Sequence, residues 1–207
     1  SSIFYIGFIG RLDSPKGVHV LVDAMQYLKN SNIKLIIAGE GVLGDILKKS
    51  SSKLHNVKFI GRVKDPCLFM NKIDLLIVPS IREPLGNVCL EAGLCKVPVL
   101  AANVDGLPEI IEDKVSGELI DATDQVLVNL EAGAVPLPEF VVNPDTQQLS
   151  LPKQINSALL AKQILGLSTE PNKLNYYAVN LHDKVTSYFN INRYSAELYK
   201  VYSEMLF

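Results

Sequence analysis

Over its first 120 residues the chain alternates short apolar runs with stretches of helical periodicity, and that alternation leaves few folds open. The runs read as strands at Ile3 to Ile9, Ile33 to Ala38, Val57 to Ile60, Asp74 to Val78, Val97 to Ala101 and Gly117 to Ile120. Such a pattern is the signature of a parallel sheet with helices on both faces, a Rossmann-like α/β domain. Between the first two strands Val18, Leu21, Val22, Met25 and Leu28 recur at helical spacing, one apolar stripe to lie on the sheet.

After Asp121 the pattern changes. Val135 to Pro152 holds prolines at 136, 138, 144 and 152 and no sustained helical period, which predicts an extended surface insertion within a span of about 122–172. Helical periodicity returns from Lys153 to about Leu167 and again from Lys173 to the C-terminus. In the last helix Tyr194, Leu198, Val201 and Met205 form a stripe expected to pack on the body of the domain, with part of it free to face a partner domain.

At 207 residues the chain suits one domain with one core. Its 20 basic and 22 acidic residues are interspersed, with no basic stripe, which argues against nucleic acid as a partner. No apolar run reaches the roughly 20 residues of a membrane helix, and no signal peptide is visible. Cys67, Cys89 and Cys95 lack metal or redox spacing, so free thiols in a reducing compartment are expected. The chain opens on Ser1 and runs directly into a strand, which suggests a fragment whose upstream part is missing.

The unusual polar residues cluster just past strand ends. Gly10, Arg11 and Lys16 follow the first strand, Gly39 to Gly41 the second, Arg62 and Val63 the third, Glu83 to Glu91 the fourth and Asp105 to Glu109 the fifth. In an open parallel sheet those ends share one edge, and ligands bind in the crevice there. Within REPLGNVCLEAG, Glu83 and Glu91 flank Gly86, which marks the entry to a helix beginning at Asn87. Free N–H groups at that positive helix end suit an anion, and the carboxylates suit hydroxyls on either side. In GRLDSPKG, Arg11 and Lys16 stand at the entrance of a helix starting near Gly17, where two cations and free N–H groups can meet one diphosphate. Taken alone, such an Arg, Lys or helical Glu is as readily a solvated surface residue.

GEGVLG, Gly39 to Gly44, matches the dinucleotide fingerprint. Arg62 could serve a 2′-phosphate, but Glu40 would set a negative charge against the pyrophosphate, so a glycine loop closing a strand-to-helix turn is preferred. His19, on the polar side of the first helix, His55 and His182 are expected at the surface. No HxxH, HExxH or carboxylate cluster suggests a metal, and Ser80 lacks a nucleophile elbow.

In this order the motifs resemble the retaining GT-B type glycosyltransferases with the E-x7-E mark, the glycosyl transferases group 1. The resemblance rests on GFIGRLDSPKGVHVLVDAM, IIAGEG, FIGRV, EPLGNVCLE with AGLCKVPVLAANVDGLPEII after it, and KVSGELI. It covers Ile3 to about Asp121 closely and the final helix from about Asn192 loosely. It implies the C-terminal, donor-binding half of a GT-B fold, with a separate N-terminal acceptor domain missing from 1–207. It also implies a hexosyltransferase-type enzyme that takes a UDP-, GDP- or ADP-linked sugar, without metal or cofactor, in bacterial surface polysaccharide or lipopolysaccharide synthesis.

Arg11, Lys16 and Glu83 would be the catalytic residues: Arg11 and Lys16 on the diphosphate with the Gly86 to Val88 backbone, Glu83 on the transferred sugar. Glu91 would take the ribose and Val63 the base through its main chain, with Gly10, Glu40, Arg62, Leu85 and Asn87 completing the donor site. A cytoplasmic setting is implied, at the inner face of the membrane if the missing domain contacts it. The chain alone would be inactive. A non-catalytic nucleotide-sugar-binding module and half of a nucleotide-sugar epimerase are the alternatives. Leu85, where the family often has phenylalanine, Asp105, where glycine is common, and a long proline-rich segment depart from its pattern.

Overall fold

The structure is a computed structural model that describes residues 2–126 and 134–205. Six strands, β1 (Phe4–Ile9), β2 (Ile33–Ala38), β3 (Val57–Gly61), β4 (Leu75–Val78), β5 (Val99–Ala102) and β6 (Glu118–Ile120), form one parallel sheet in the order β3-β2-β1-β4-β5-β6. β4 and β5 are buried at every position, the mark of a sheet covered on both faces. The order runs outward from β1 in one direction and from β4 in the other. Right-handed crossovers then send the intervening helices to opposite faces. The expected α/β architecture is therefore present.

α1 (Val18–Tyr27) and α2 (Gly44–Ser50) belong to the first half, while α3 (Pro66–Met70), α4 (Asn87–Leu94) and α5 (Leu107–Ile110) belong to the second. The stripe of α1 is buried as expected, but Val20 and Ala24 are buried too, because α6 (Ser157–Leu167) covers the helix from outside. Strand ends differ from the sequence reading by one or two residues. Asp74 lies outside β4 because its carboxylate accepts from the Tyr5 N–H at 2.7 Å.

The segment after Asp121 is more ordered than an extended insertion. β7 (Ala122–Gln125) pairs antiparallel with β10 (Lys153–Ile155), and β8 (Val141–Asn143) with β9 (Gln148–Ser150). The β8–β9 turn is written in Asn143-Pro-Asp-Thr-Gln147: Asn143 Oδ1 accepts from the N–H groups of Asp145 and Thr146, and Gln147 takes φ 55°. Residues 127–133 of the span lie outside the described residues.

The helix read from Lys153 begins instead at Ser157, since Lys153–Ile155 is strand and Asn156 caps α6 by accepting from the Leu159 N–H at 3.0 Å. With Leu160 and Ile164 fully buried, α6 is part of the core and not of a surface insertion. The last helical stretch is two helices, α7 (Pro171–Tyr188) and α8 (Ile191–Met205). α7 is fastened to β6 by buried Glu118, which accepts from Tyr177 at 3.0 Å and pairs with Lys173 at 2.7 Å. The stripe of α8 does not pack on the domain: the helix has no buried residue among those described, and Tyr194, Val201 and Met205 are more than half exposed.

The histidines are a further correction. His55 is exposed, but His182 bonds the Gly93 carbonyl at 3.0 Å, and His19 is half-buried with Nε2 2.9 Å from Gln154 Oε1 of β10. Burial pushes the His19 imidazole below its ordinary value of 6.5, against the opposing Gln154 bond and Asp23 carboxylate. The folded state therefore favours neutral His19. Its contribution is fully present above the unfolded value and is lost as pH falls from there through the lowered folded value. The thermal midpoint of the chain should drop between about pH 7 and 5, and His19→Gln should make that drop shallower in a calorimetric series.

Candidate functional site

The switch point of the sheet lies between the C-terminal ends of β1 and β4, and the loops leaving them, 10–17 and 79–86, meet there. Pro15 O accepts from the N–H groups of both Ile81 and Arg82, at 2.8 and 3.1 Å. Gly17 (φ 64°) lets backbone lie on backbone, since a Cβ there would stand 1.9 Å from Pro79 O. Residues 14–16 form a single 3-10 turn before α1. Lys16 and Glu83, 67 positions apart, are thereby brought together: Nζ to Oε2 is 2.5 Å, and Ser80 Oγ–H donates to the same oxygen at 3.2 Å.

Glu83, in the loop before α4, is buried, and Lys16 is not a free cation. The main chain around Glu83 is fixed by Asp105. One oxygen of Asp105 accepts from the Glu83 N–H at 2.9 Å and the other from the Val142 N–H of β8 at 2.8 Å. Asp105 holds φ 47°, a conformation a short carboxylate tolerates better than most side chains. The sequence placed Asp105 in the fifth loop cluster, but neither its clamp on Glu83 nor the Ser80 bond could be read there.

A few residues on, α4 starts at Asn87 behind Gly86 (φ 92°). The N–H groups of Asn87 and Val88 donate to no protein acceptor among the described residues, whereas the Cys89 N–H already bonds Gly86 O. Glu91, one turn into the helix, is half-buried, and burial raises its pKa. Its carboxylate has no hydrogen-bond or ion-pair partner among the described residues. The end of α4 thus offers two donors beside an uncommitted acid, and the Lys16–Glu83 pair borders it through the 79–86 loop.

The other side of loop 10–17 faces β2 and β3. A cavity of about 480 Å³ opens there, lined by Gly10, Arg11, Glu40, Arg62 and Val63 among others. Arg11 is exposed and reaches Asp13 at 3.6 Å, a loose pair that leaves its guanidinium available. Arg62 and Glu40 are exposed, Val63 is half-buried, and Leu85 is 42% exposed at the mouth of the 79–86 loop. The glycines of GEGVLG serve packing: a Cβ at Gly39 would stand 1.8 Å from Gly10 O, and one at Gly41 2.5 Å from Leu12 O. Leu12 N–H donates to Glu40 O, closing the loops on each other where a dinucleotide would need access. No group of three or more His, Cys, Asp or Glu able to hold a metal gathers among the described residues.

Sheet order defines the class: a doubly wound α/β domain in which the loops after β1 and β4 meet at the switch point. Residues 3 to 130 match the family model of glycosyl transferases group 1, and the chain belongs to that family. It is 40% identical over 116 residues to an uncharacterised glycosyltransferase of Methanocaldococcus jannaschii, covering 53% of this chain and 30% of that protein. With the capsular polysaccharide biosynthesis glycosyltransferase CapM of Staphylococcus aureus it shares 31% over 127 residues, 58% of this chain and 33% of CapM. Among solved structures, Anabaena HepE in complex with UDP-glucose superposes with a TM-score of 0.73 at 25% identity, over 98% of this chain and 49% of that one. The matched segments thus span about a third of the two curated relatives and half of the solved chain.

The Asp105 clamp yields a stability order. Asp105→Ala loses both carboxylate bonds and keeps a Cβ at positive φ. Asp105→Gly loses the same bonds but relieves the backbone. Both should unfold at lower urea than the parent, by about 1–3 kcal/mol, with the alanine variant the less stable by about 1 kcal/mol.

Proposed function

We propose that this chain is the donor-binding, C-terminal half of a retaining GT-B glycosyltransferase that takes a nucleoside diphosphate sugar. The observation that carries the reading is the start of α4: two unpaired N–H groups and an unpartnered, half-buried Glu91, set beside a Glu83 already fixed by Lys16. A diphosphate suits the helix end and the cations of loop 10–17. A ribose diol suits Glu91, and the cavity at Arg62 and Val63 suits the base. Glu83 faces the sugar end, with Gly10, Glu40, Leu85, Asn87 and Val88 completing the lining. HepE, solved with UDP-glucose, favours a uridine donor over the GDP- and ADP-linked ones.

During transfer the bond between the sugar and the diphosphate breaks, and negative charge grows on the departing phosphate. Preorganised donors lower that barrier most when they already point at the growing charge. The Asn87 and Val88 N–H groups are fixed by the helix, and Arg11 and Lys16 supply positive charge from the facing loop. Glu83 keeps Lys16 in place before the donor arrives. No metal or cofactor enters this scheme.

The acceptor half would be a separate N-terminal domain of the full-length protein, and the unburied face of α8 is a surface it could cover. The likeness to CapM favours a surface polysaccharide, of the capsular or lipopolysaccharide kind, as the product, made on the cytoplasmic side of a membrane. On this reading 1–207 is one domain, and alone it transfers nothing.

Titration calorimetry of the chain with UDP and UDP-glucose tests the scheme. Glu91→Ala should weaken UDP by about 1.5–3 kcal/mol, tenfold or more. Glu83→Ala releases Lys16, so UDP affinity should hold or rise while the additional contribution of the glucose is lost. The 2′-deoxy form of UDP should bind the parent more weakly than UDP does, with most of that difference gone in Glu91→Ala. No binding of UDP or UDP-glucose at millimolar concentration overturns the donor site, and additive losses in the deoxy comparison remove Glu91 from the ribose.

A further inference from the structure

Away from the cleft, two of the three cysteines have been brought into contact by the fold. Cys67 lies in α3 and Cys95 at the C-terminal end of α4, and their Sγ atoms stand 2.8 Å apart. Cys67 is exposed and Cys95 half-buried, while Cys89 is sealed in the core. A disulfide needs its sulfurs about 2.0 Å apart, so closure asks for less than about 1 Å of approach between two neighbouring helices. Two thiols without a third ligand do not build a zinc site, and no third metal ligand gathers around them among the described residues.

We propose that Cys67 and Cys95 form a thiol–disulfide site, which a small disulfide oxidant such as oxidised glutathione closes into an intramolecular bond tying α3 to the far end of α4. The site rests on the geometry of the two thiols and is independent of the sugar-donor reading. Cys67, as the exposed thiol, attacks first: its thiolate forms a bond to one glutathione sulfur, the oxidant's S–S bond breaks, and one glutathione thiolate leaves. Cys95 then gives up its proton to solvent and attacks Cys67 Sγ, expelling the second glutathione thiolate. Two protein thiols are oxidised by two electrons, and one glutathione disulfide is reduced to two thiols. Burial, then the Cys67 contact and the Asp65 and Glu91 charges, push the Cys95 thiol up in the reduced chain, which leaves the exposed Cys67 as the first to react.

The bond would close the loop from 67 to 95, which contains β4 and the whole of α4. It would restrain α4 at the end opposite to Asn87. Loop closure of that length stabilises through the unfolded chain, giving an expected rise in thermal midpoint of about 5 °C.

The test treats the whole chain with oxidised glutathione, alkylates under denaturing conditions, and reads intact mass and a tryptic map with fragment-ion sequencing, since Cys89 and Cys95 share the tryptic peptide 83–96. The expected product carries one alkyl group where the reduced chain carries three, and lies about 2 Da below the mass of a singly alkylated reduced chain, with a Cys67–Cys95 linked peptide, Cys89 alkylated, and the higher thermal midpoint reversed by dithiothreitol. Cys95→Ser should stop at a glutathione adduct on Cys67, which shows the order of attack. A parent chain that holds a persistent adduct on Cys67 with Cys95 alkylated, that links Cys89 instead, or that stays fully reduced while a control dithiol is oxidised, overturns the site.

Discussion

Everything at the cleft depends on how the loop after β1 meets the loop after β4. The contact is backbone on backbone: Pro15 O takes two N–H groups from 81 and 82, and Gly17 lies against Pro79 O without a side chain between them. No side-chain interaction could bring the two so close, because any Cβ at Gly17 would collide. That closeness places Lys16 over Glu83, buries the carboxylate and sets the start of α4 at the edge of the pair. Sheet order supplies the rest, since only at a switch point do two neighbouring strands send their helices to opposite faces and leave a crevice between.

The sheet was legible because its strands are short, strongly apolar and separated by helical periods, so hydrophobic pattern alone fixes their number and sequence position. The region after Asp121 was harder for a physical reason. Its strands are three or four residues long, half-exposed, and pair with partners up to about thirty positions away, so no single window carries their period. The turn at Asn143-Pro-Asp was the readable part, and prolines nearby hid it within an apparently structureless stretch. α8 misled in the opposite sense: its apolar stripe is real, but a stripe says that a face is to be covered and not by what.

At the site the sequence placed the residues on the correct edge but not in their partnerships. Loop membership follows from strand order, so Gly10, Arg11, Glu40, Arg62 and Val63 at one cavity, and Glu83 to Glu91 at the other end, could be anticipated. Which cation meets which carboxylate could not. Arg11 and Lys16 look equivalent as letters, yet one is exposed beside Asp13 and the other spans to Glu83. Asp105 stood out as the start of the fifth loop cluster and as a departure from glycine, not as a clamp. Its positive φ and its two main-chain bonds show why aspartate can stand there: it offers two acceptors where a glycine would offer none.

The Lys16–Glu83 pair also limits what the cleft can do. Removing a carboxylate and an ammonium from water costs several kcal/mol each, and their attraction together with the Ser80 hydroxyl only offsets that cost when both remain. Buried Glu83 has Lys16 as its ion-pair partner, so on the proposed reading an incoming diphosphate would share the lysine with the glutamate. On that reading the lysine would then stand between a fixed carboxylate and the diphosphate, held in place before the donor arrives. Arg11, exposed and loosely paired with Asp13, has no such restraint. The two cations of one loop thus differ in burial and in partner, which their letters in the sequence do not show.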